Sequence, residues 1–359
     1  MSLHNTAMVA LAALAFPANY QAADFSRTPP PVCSLYEQKL MPTSDLALYG
    51  KFHDVRSRVL ASSKLGPDTT SIICSGFPWI DAECFGAVGD DKHDDTAAID
   101  AAFAWVGTVA GNCSPIHFQR RAYKVTADVI VDIGDWAANC KSDGLKILVE
   151  GGADFDGNSI TSTPTFEIRC TGNTCNNVWL SGRLTIKGAN DGPVFVLGKS
   201  DFSDAFSISN LNYIVPQNSG TGSAAGGAQI NNVVVSVLKI EGAFAPTATG
   251  GDAVQLRGIS QSDITVNGTW AHGTAVHVTE GTVSGNKIAL LGGNNSTTCL
   301  VVDTAGATNN TFSPVDFTAC THALNSTAGS GNILINPVYG TADIVSSTGF
   351  TKAATTALP

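Results

Sequence analysis

Four short segments recur along the last third of the chain. GGDAVQLRG, GTAVHVTEG, TTCLVVDTA and THALNSTAG begin their apolar cores at Ala253, Ala275, Cys299 and Ala323, at steps of 22, 24 and 24 residues. Between them lie SDITV, GNKIAL, NNTFS and GNILI, which place Asp263, Asn286, Asn310 and Asn332 at steps of 23, 24 and 22. Two interleaved series with one period constrain this chain more than any other feature. A repeat this short cannot bury its own inner face, so successive repeats must stack as coils to make a continuous core. Apolar and polar residues alternate within each segment, the pattern of a half-buried strand. The expectation is an all-β solenoid, a single-stranded parallel β-helix of about 23 residues per coil.

Composition agrees with that expectation and narrows the partners. The 359 residues are 43% hydrophobic and only 14% charged, with 36 glycines, which leaves little charge for long surface helices. The formal net charge is −10 and no Lys/Arg run could track a phosphate backbone, so nucleic acid is not an expected partner. Nine cysteines are too sparse for a disulfide scaffold and match no zinc-site spacing. Cys170 and Cys175 are close enough in sequence to pair; otherwise the cysteines read as small buried hydrophobes.

Three regions are expected: an attachment or linker region over 1–79, the coils over 80–345 and a small polar tail over 346–359. The apolar run Ala7 to Phe16 with small residues at Ala22 and Ala23 suits a secretory leader, but no Lys or Arg precedes it. It is read as a retained segment, too short to span a bilayer. RTPPPVC reads as extended polyproline. A helix is expected over about 45–61, where Leu48, Phe52, Val55 and Val59 form an apolar seam. That seam suits either a helix lying on its own domain or a short oligomer neck.

The segment CFGAVGDDKHDDTAAIDAAF, Cys84 to Phe103, places aspartates directly before an Ala-rich helix. Asp94 or Asp95 can accept a hydrogen bond from the first helical turn, and further acids suit the positive end of the helix dipole. Ile99, Phe103, Val106 and Ala110 then form one apolar stripe. Helix-start chemistry accounts for the acids; a cation held by Asp90, Asp91 and His93 is the alternative. The segment resembles the N-terminal signature of the pectate-lyase-like superfamily, close to FGAxGDGxxDDTxAIxxAI, with Asp91 where glycine is usual. The resemblance continues through IHFQRRAYKVTADVIV and LKILVEGGADFDG and covers about 75 residues. It implies a right-handed parallel β-helix capped at its N-terminal end by the Ala-rich helix. It does not imply catalysis, since lyases, hydrolases, epimerases and viral tailspikes share the signature.

Alternation assigns faces to the repeats. Val254, Leu256, Val276, Val278, Leu300, Val302 and Leu324 should point inward. Gln255, His277, Val301 and Asn325 then form one outward row, and Arg257, Thr279, Asp303 and Thr327 another. A glycosidase needs two carboxyl groups about 5 Å apart to retain configuration, or about 6.5–9.5 Å to invert it. Neither row contains two carboxylates, and Asp252 and Glu280 lack an acidic in-register partner.

Polygalacturonases in the superfamily carry a tandem-Asp motif followed by Gly-His-Gly. Here GGDAV keeps only Asp252 and AHG keeps His272, so these two are catalytic candidates by resemblance alone. Asp191, Asp204 and Glu280 complete the candidate acids, with Asp201 beside Asp191 and Asp204 as a groove candidate, while Asp154 and Asp156 read as turn residues. Pectate lyases need calcium acids with a basic residue; Arg257 near Asp303 reads instead as a surface ion pair. Gln255, Arg257, Trp270, His277 and Asp303 are candidate substrate contacts, with Trp179, Tyr213 and Tyr339 as further flat surfaces. NSGTGSAAGGA, Asn218 to Ala228, reads as a flexible loop leaving the coil.

The functional expectation is a spike or receptor-binding protein of a phage or phage-like particle, on the virion or extracellular. It would bind bacterial surface polysaccharide, attach to particle or tail proteins through its N-terminal region and assemble as a homotrimer. A spike that also depolymerises the polysaccharide joins this expectation to the next, since a trimer can bring acids from two subunits into one groove. A secreted polysaccharide lyase or glycoside hydrolase is the second class, and a structural decoration protein the third. No cofactor is required by these readings, calcium being the one metal they admit, and no membrane span is expected.

Overall fold

Alternation along the repeats becomes a stack of parallel strands. The computed structural model describes residues 79–352 apart from 163, 173, 243, 246–250, 272, 295 and 339. The N-terminal leader, polyproline stretch and helix over 45–61 lie outside the described residues. The chain winds as a single-stranded right-handed parallel β-helix, the hand expected when a twisted strand returns to pair in parallel. Each coil adds one strand to a nine-stranded sheet, from Val129–Asp132 through Asp252–Arg257 and Thr274–Val278 to Asp343–Ser347. From Asp252 its strands start at 252, 274, 298, 322 and 343, close to the 23-residue period. The earlier strands start at 129, 166, 193 and 226, so the first coils are longer. Their extra residues lie between these strands and include a short helix at Ala138–Asp143.

Register matches the expected row from Gln255 onward. Gln255 pairs with His277, His277 with Val301 and Val301 with Asn325. All seven residues expected inside are at most 1% exposed, each worth roughly 1.5–3 kcal/mol of burial. The polar series between the strands is set one residue earlier than expected at its start. Asp263 stands level with Lys287 on the outside. The backbone N–H of Ser262 donates to Asn286 Oδ1 (2.9 Å), that of Asn286 to Asn310 Oδ1 and that of Asn310 to Asn332 Oδ1 (both 3.1 Å). Asn286, Asn310 and Asn332 are 0–2% exposed. Their amides satisfy backbone groups at an inward-facing corner, where Asp263 would bury a charge.

The N-terminal end is closed by helix α1 (Thr96–Val106). Ile99, Phe103 and Val106 are buried, and Phe103 packs on Phe118 and Phe166 with ring centroids 5.9 Å apart. Ala110 falls past the helix end and is exposed. The two aspartates at the helix start divide the work. Asp94 Oδ1 accepts from the backbone N–H of Thr96 (3.1 Å) and from its hydroxyl (2.6 Å). Asp95, 1% exposed, turns back to accept from the N–H groups of Val88 (2.6 Å) and Gly89 (3.0 Å). Gly89, at φ +64°, lets that loop close. Asp90 accepts from the backbone of Lys92 and His93 and pairs with the His93 ring at 2.8 Å.

Three sequence expectations are corrected. Cysteines form three disulfides, Cys113–Cys140, Cys170–Cys175 and Cys299–Cys320. Two of these pairs are 27 and 21 residues apart, near one turn of the solenoid, so stacking brings together residues that look unrelated in sequence. The glycine-rich loop is shorter and pinned: Gly226–Asn231 is a strand, and the buried Asn218 side-chain amide donates to the carbonyls of Asn190, Gly192 and Gly226. The coil also runs past 345. Phe350–Lys352 pairs with Asn332–Leu334, and Phe350 packs on Phe312 at 5.1 Å, so the expected tail begins no earlier than residue 353.

Candidate functional site

Asp252 opens a strand of the nine-stranded sheet, His277 sits one coil on in the outward row, and Asp303 follows the strand one coil further. His277 Nδ1 lies 2.7 Å from Asp252 Oδ2, and its Nε2 lies 2.8 Å from Asp303 Oδ2. Gln255 Nε2 donates to Asp252 Oδ2 at 2.9 Å. Burial alone would push the imidazole down; the hydrogen bonds and charges of Asp252 and then Asp303 outweigh it and hold it up at about 9. At neutral pH the cluster is therefore an imidazolium clamped between two aspartates. The in-register test misses this pair because the contacts run diagonally, with the histidine reaching both ways along the stack. The ring also fills the space that a glycosidase keeps for water or sugar between its two acids.

Arg257 does not join Asp303. It is 8% exposed and pairs with Glu280, donates to Asn231 Oδ1 (3.1 Å) and the Ser200 carbonyl (3.2 Å), and lies 5.1 Å from the Phe202 ring centroid. Position 257 comes where the strand turns the corner, so its side chain folds under the 199–204 loop instead of standing in an outward row. Asp204, 2% exposed, staples that loop by accepting from the backbone of Cys170 (3.0 Å) and Lys199 (2.8 Å). Asp191 is exposed in the turn before Pro193–Leu197. The structure thus joins Asp252, Gln255, His277 and Asp303 in one patch and Arg257 with Glu280 in another, and uses Asp204 for a loop. Trp270 lies in the strand Asp263–Ala271; its side chain, His272 and Tyr339 lie outside the described residues. Among the described residues no group of three or more His, Cys, Asp or Glu is arranged to hold a metal ion. No helix there is long and apolar enough to cross a membrane.

A second concavity went unnoticed in the sequence. The seventeen-stranded sheet consists, in the first coils, of two narrow rows of strands separated by a corner. An open groove of about 540 Å³ lies along that corner, lined by Arg120, Arg121, Gly151, Arg183 and Lys187 among others. Asp154 also lines it, with Lys187 Nζ at 2.9 Å from its carboxylate. Of its four basic residues, only Arg120 and Arg121 are adjacent in sequence. The signal that would have found Arg183 is the step of 31 residues from Arg121 to Gly152 and again to Arg183.

No family model matches the chain, and no curated protein matches it. Among solved structures it is similar to the Agl-KA catalytic domain at 14% identity and a TM-score of 0.30, covering 76% of this chain and 46% of that one. It is similar to ORF18 of Geobacillus virus E2 at 12% identity and a TM-score of 0.32, covering 88% and 64%. The surface adhesin PfbA of Streptococcus pneumoniae is a further likeness, at 13% identity and a TM-score of 0.25, covering 72% and 78%. The chain therefore spans about half the length of the first of these and under two thirds of the second.

Proposed function

We propose that this protein binds bacterial surface polysaccharide as the spike or receptor-binding protein of a phage or phage-like particle. The observation that carries this reading is the outward row of the nine-stranded sheet. Gln229, Gln255, His277 and Asn325 follow one another there in register, interrupted by Val301. Strands about 4.8 Å apart repeat hydrogen-bonding groups along the solenoid, suiting a ligand that is itself a chain of polar units. Binding is favoured over cleavage because His277 occupies the gap between Asp252 and Asp303. In this reading the protein works as a homotrimer on the virion or outside the cell, attached through its N-terminal region.

The test is to incubate the purified protein with a panel of bacterial surface polysaccharides, with and without calcium, and follow bound glycan and chain length together. Binding with chain length unchanged is expected. Shortened chains would replace this reading with a depolymerase and direct mutation to Asp191, Asp204, Asp252, His272 and Glu280. Failure of every glycan to bind would overturn it.

A further inference from the structure

The corner of the seventeen-stranded sheet combines three features that its other turns do not share. The first is charge. A chain of net charge −10 places four of its 20 Lys and Arg residues around one groove. Asp154 is engaged by Lys187, and Arg121 donates to the Val88 carbonyl (3.0 Å) and to Gln119 Oε1 (3.2 Å) while lying 3.5 Å from Glu83. Arg120 and Arg183 are exposed, and their guanidinium groups make no hydrogen bond or ion pair with any described residue. Two unspent guanidinium groups beside two anchored cations make a positive stripe with donors directed outward.

The second feature is the floor. A β-carbon on Gly151 would come within 3.3 Å of Arg120 Cδ, so the arginine stem lies across this glycine. Gly152 follows at φ +98° with no atom nearer than 3.9 Å to such a carbon. The groove stays shallow and open there, as a long ligand requires.

The third feature is Tyr213. One coil on from Arg183, its place is fixed by the pairs Leu180–Leu211 before it and Leu184–Ile214 after it. The corresponding turn one coil earlier is made by Gly182, at φ +96°. Tyr213 takes the same left-handed conformation at φ +56°, and the residue is 42% exposed. A tyrosine there costs on the order of 1 kcal/mol that glycine would avoid, and its ring is not repaid by burial. Lys239 Nζ lies 5.6 Å over the ring centroid, so a cation holds one face of the ring and its exposed remainder is what a ligand would meet.

We infer that this corner groove binds an acidic glycan, with sugar-borne oxyanions on Arg120, Arg121 and Arg183 and a sugar ring stacked on Tyr213. The inference rests on the polysaccharide-binding reading above and adds a place and a ligand chemistry to it. Carboxylates of a polyuronate and phosphates of a phosphodiester-linked glycan share that chemistry.

Binding of the full chain is measured at low and high salt to three probes of matched length: a polyuronate, a polyol-phosphate glycan and a neutral glucan. One or both acidic probes are expected to bind and the glucan not, the stronger one naming the oxyanion. Arg183→Glu should weaken that binding about tenfold at low salt. Lys287→Glu makes the same charge change at an exposed site several coils away and should weaken it less than about twofold. Tyr213→Gly should lower affinity while leaving the urea midpoint unchanged or raised, because it removes backbone strain; a merely structural tyrosine would show the reverse. Equal binding of the glucan, or equal losses from Arg183→Glu and Lys287→Glu, would sink this site while leaving the polysaccharide reading intact. Failure of the whole surface-polysaccharide panel and of all three probes would remove both.

Discussion

His277 shows how a single side chain can alter the meaning of two others. Asp252 and Asp303 come from different coils, and neither has an acidic neighbour at its own level. The imidazole between them turns two isolated acids into one ion triad with a net charge of −1. Its folded-state value of about 9 lies above the ordinary 6.5. The resulting stability is fully present below pH 6.5 and is lost as the pH rises towards and through 9. Asp303 is 41% exposed, and with that screening the triad is worth about 2 kcal/mol. Urea midpoints should therefore fall between pH 6.5 and 9.5 in the wild type, and the fall should be clearly smaller in His277→Gln. Identical pH profiles for the two proteins would show that the triad contributes nothing.

Helix α1 illustrates the scale of an element, where one acid is well used and another is not. Asp94 and Asp95 satisfy N–H groups at the helix start and in the preceding loop. Asp100, one turn in, gains nothing comparable. Burial and then the charge of Asp128 push its carboxyl up to about 6. The sign is opposite to that of His277: an acid raised in the folded state destabilises the fold when ionised, and this cost disappears as the pH falls through 6 towards 4. Asp100→Asn is expected to raise stability at pH 7 by about 1 kcal/mol, given the partial exposure of the site. A calorimetric melt at pH 7 and at pH 4.5 checks this, since the gain should shrink at the lower pH. The helix and its apolar stripe were legible in the sequence as far as Val106. Ala110 was not: the helix stops at Gly107, where the Trp136 ring packs so closely that a β-carbon would meet it at 2.3 Å, a contact no local pattern shows.

At the scale of the whole molecule, stability is distributed along a stack whose coils touch only their neighbours. Cross-links between adjacent coils therefore matter more than the sparse cysteine content suggested. Cys113–Cys140 and Cys299–Cys320 each close a loop near one coil in length, worth about 3 kcal/mol apiece in chain entropy. Reduction should lower the urea midpoint markedly, and mass spectrometry after alkylation should find these four thiols, with Cys170 and Cys175, blocked until reductant is added. An unchanged midpoint, or alkylation without reductant, would count against the bridges. The same stacking gathers the basic groove: residues 31 apart on three coils meet at one corner, and no sequence window contains them together.

By itself the sequence determined the fold class, the inward row from Val254 onward and the register Gln255–His277–Val301–Asn325. These depend on strand alternation and on a repeat that must stack, both local properties. Tertiary structure alone decided the longer early coils, the disulfides, the burial of Arg257 with Glu280, the Asp252–His277–Asp303 triad and the grouping of Arg120, Arg121 and Arg183. Each depends on how far the chain travels between one level and the next and on which way a long side chain leans once there. Those distances are set by turn lengths and corner geometry, and neither can be read from a local window of the sequence.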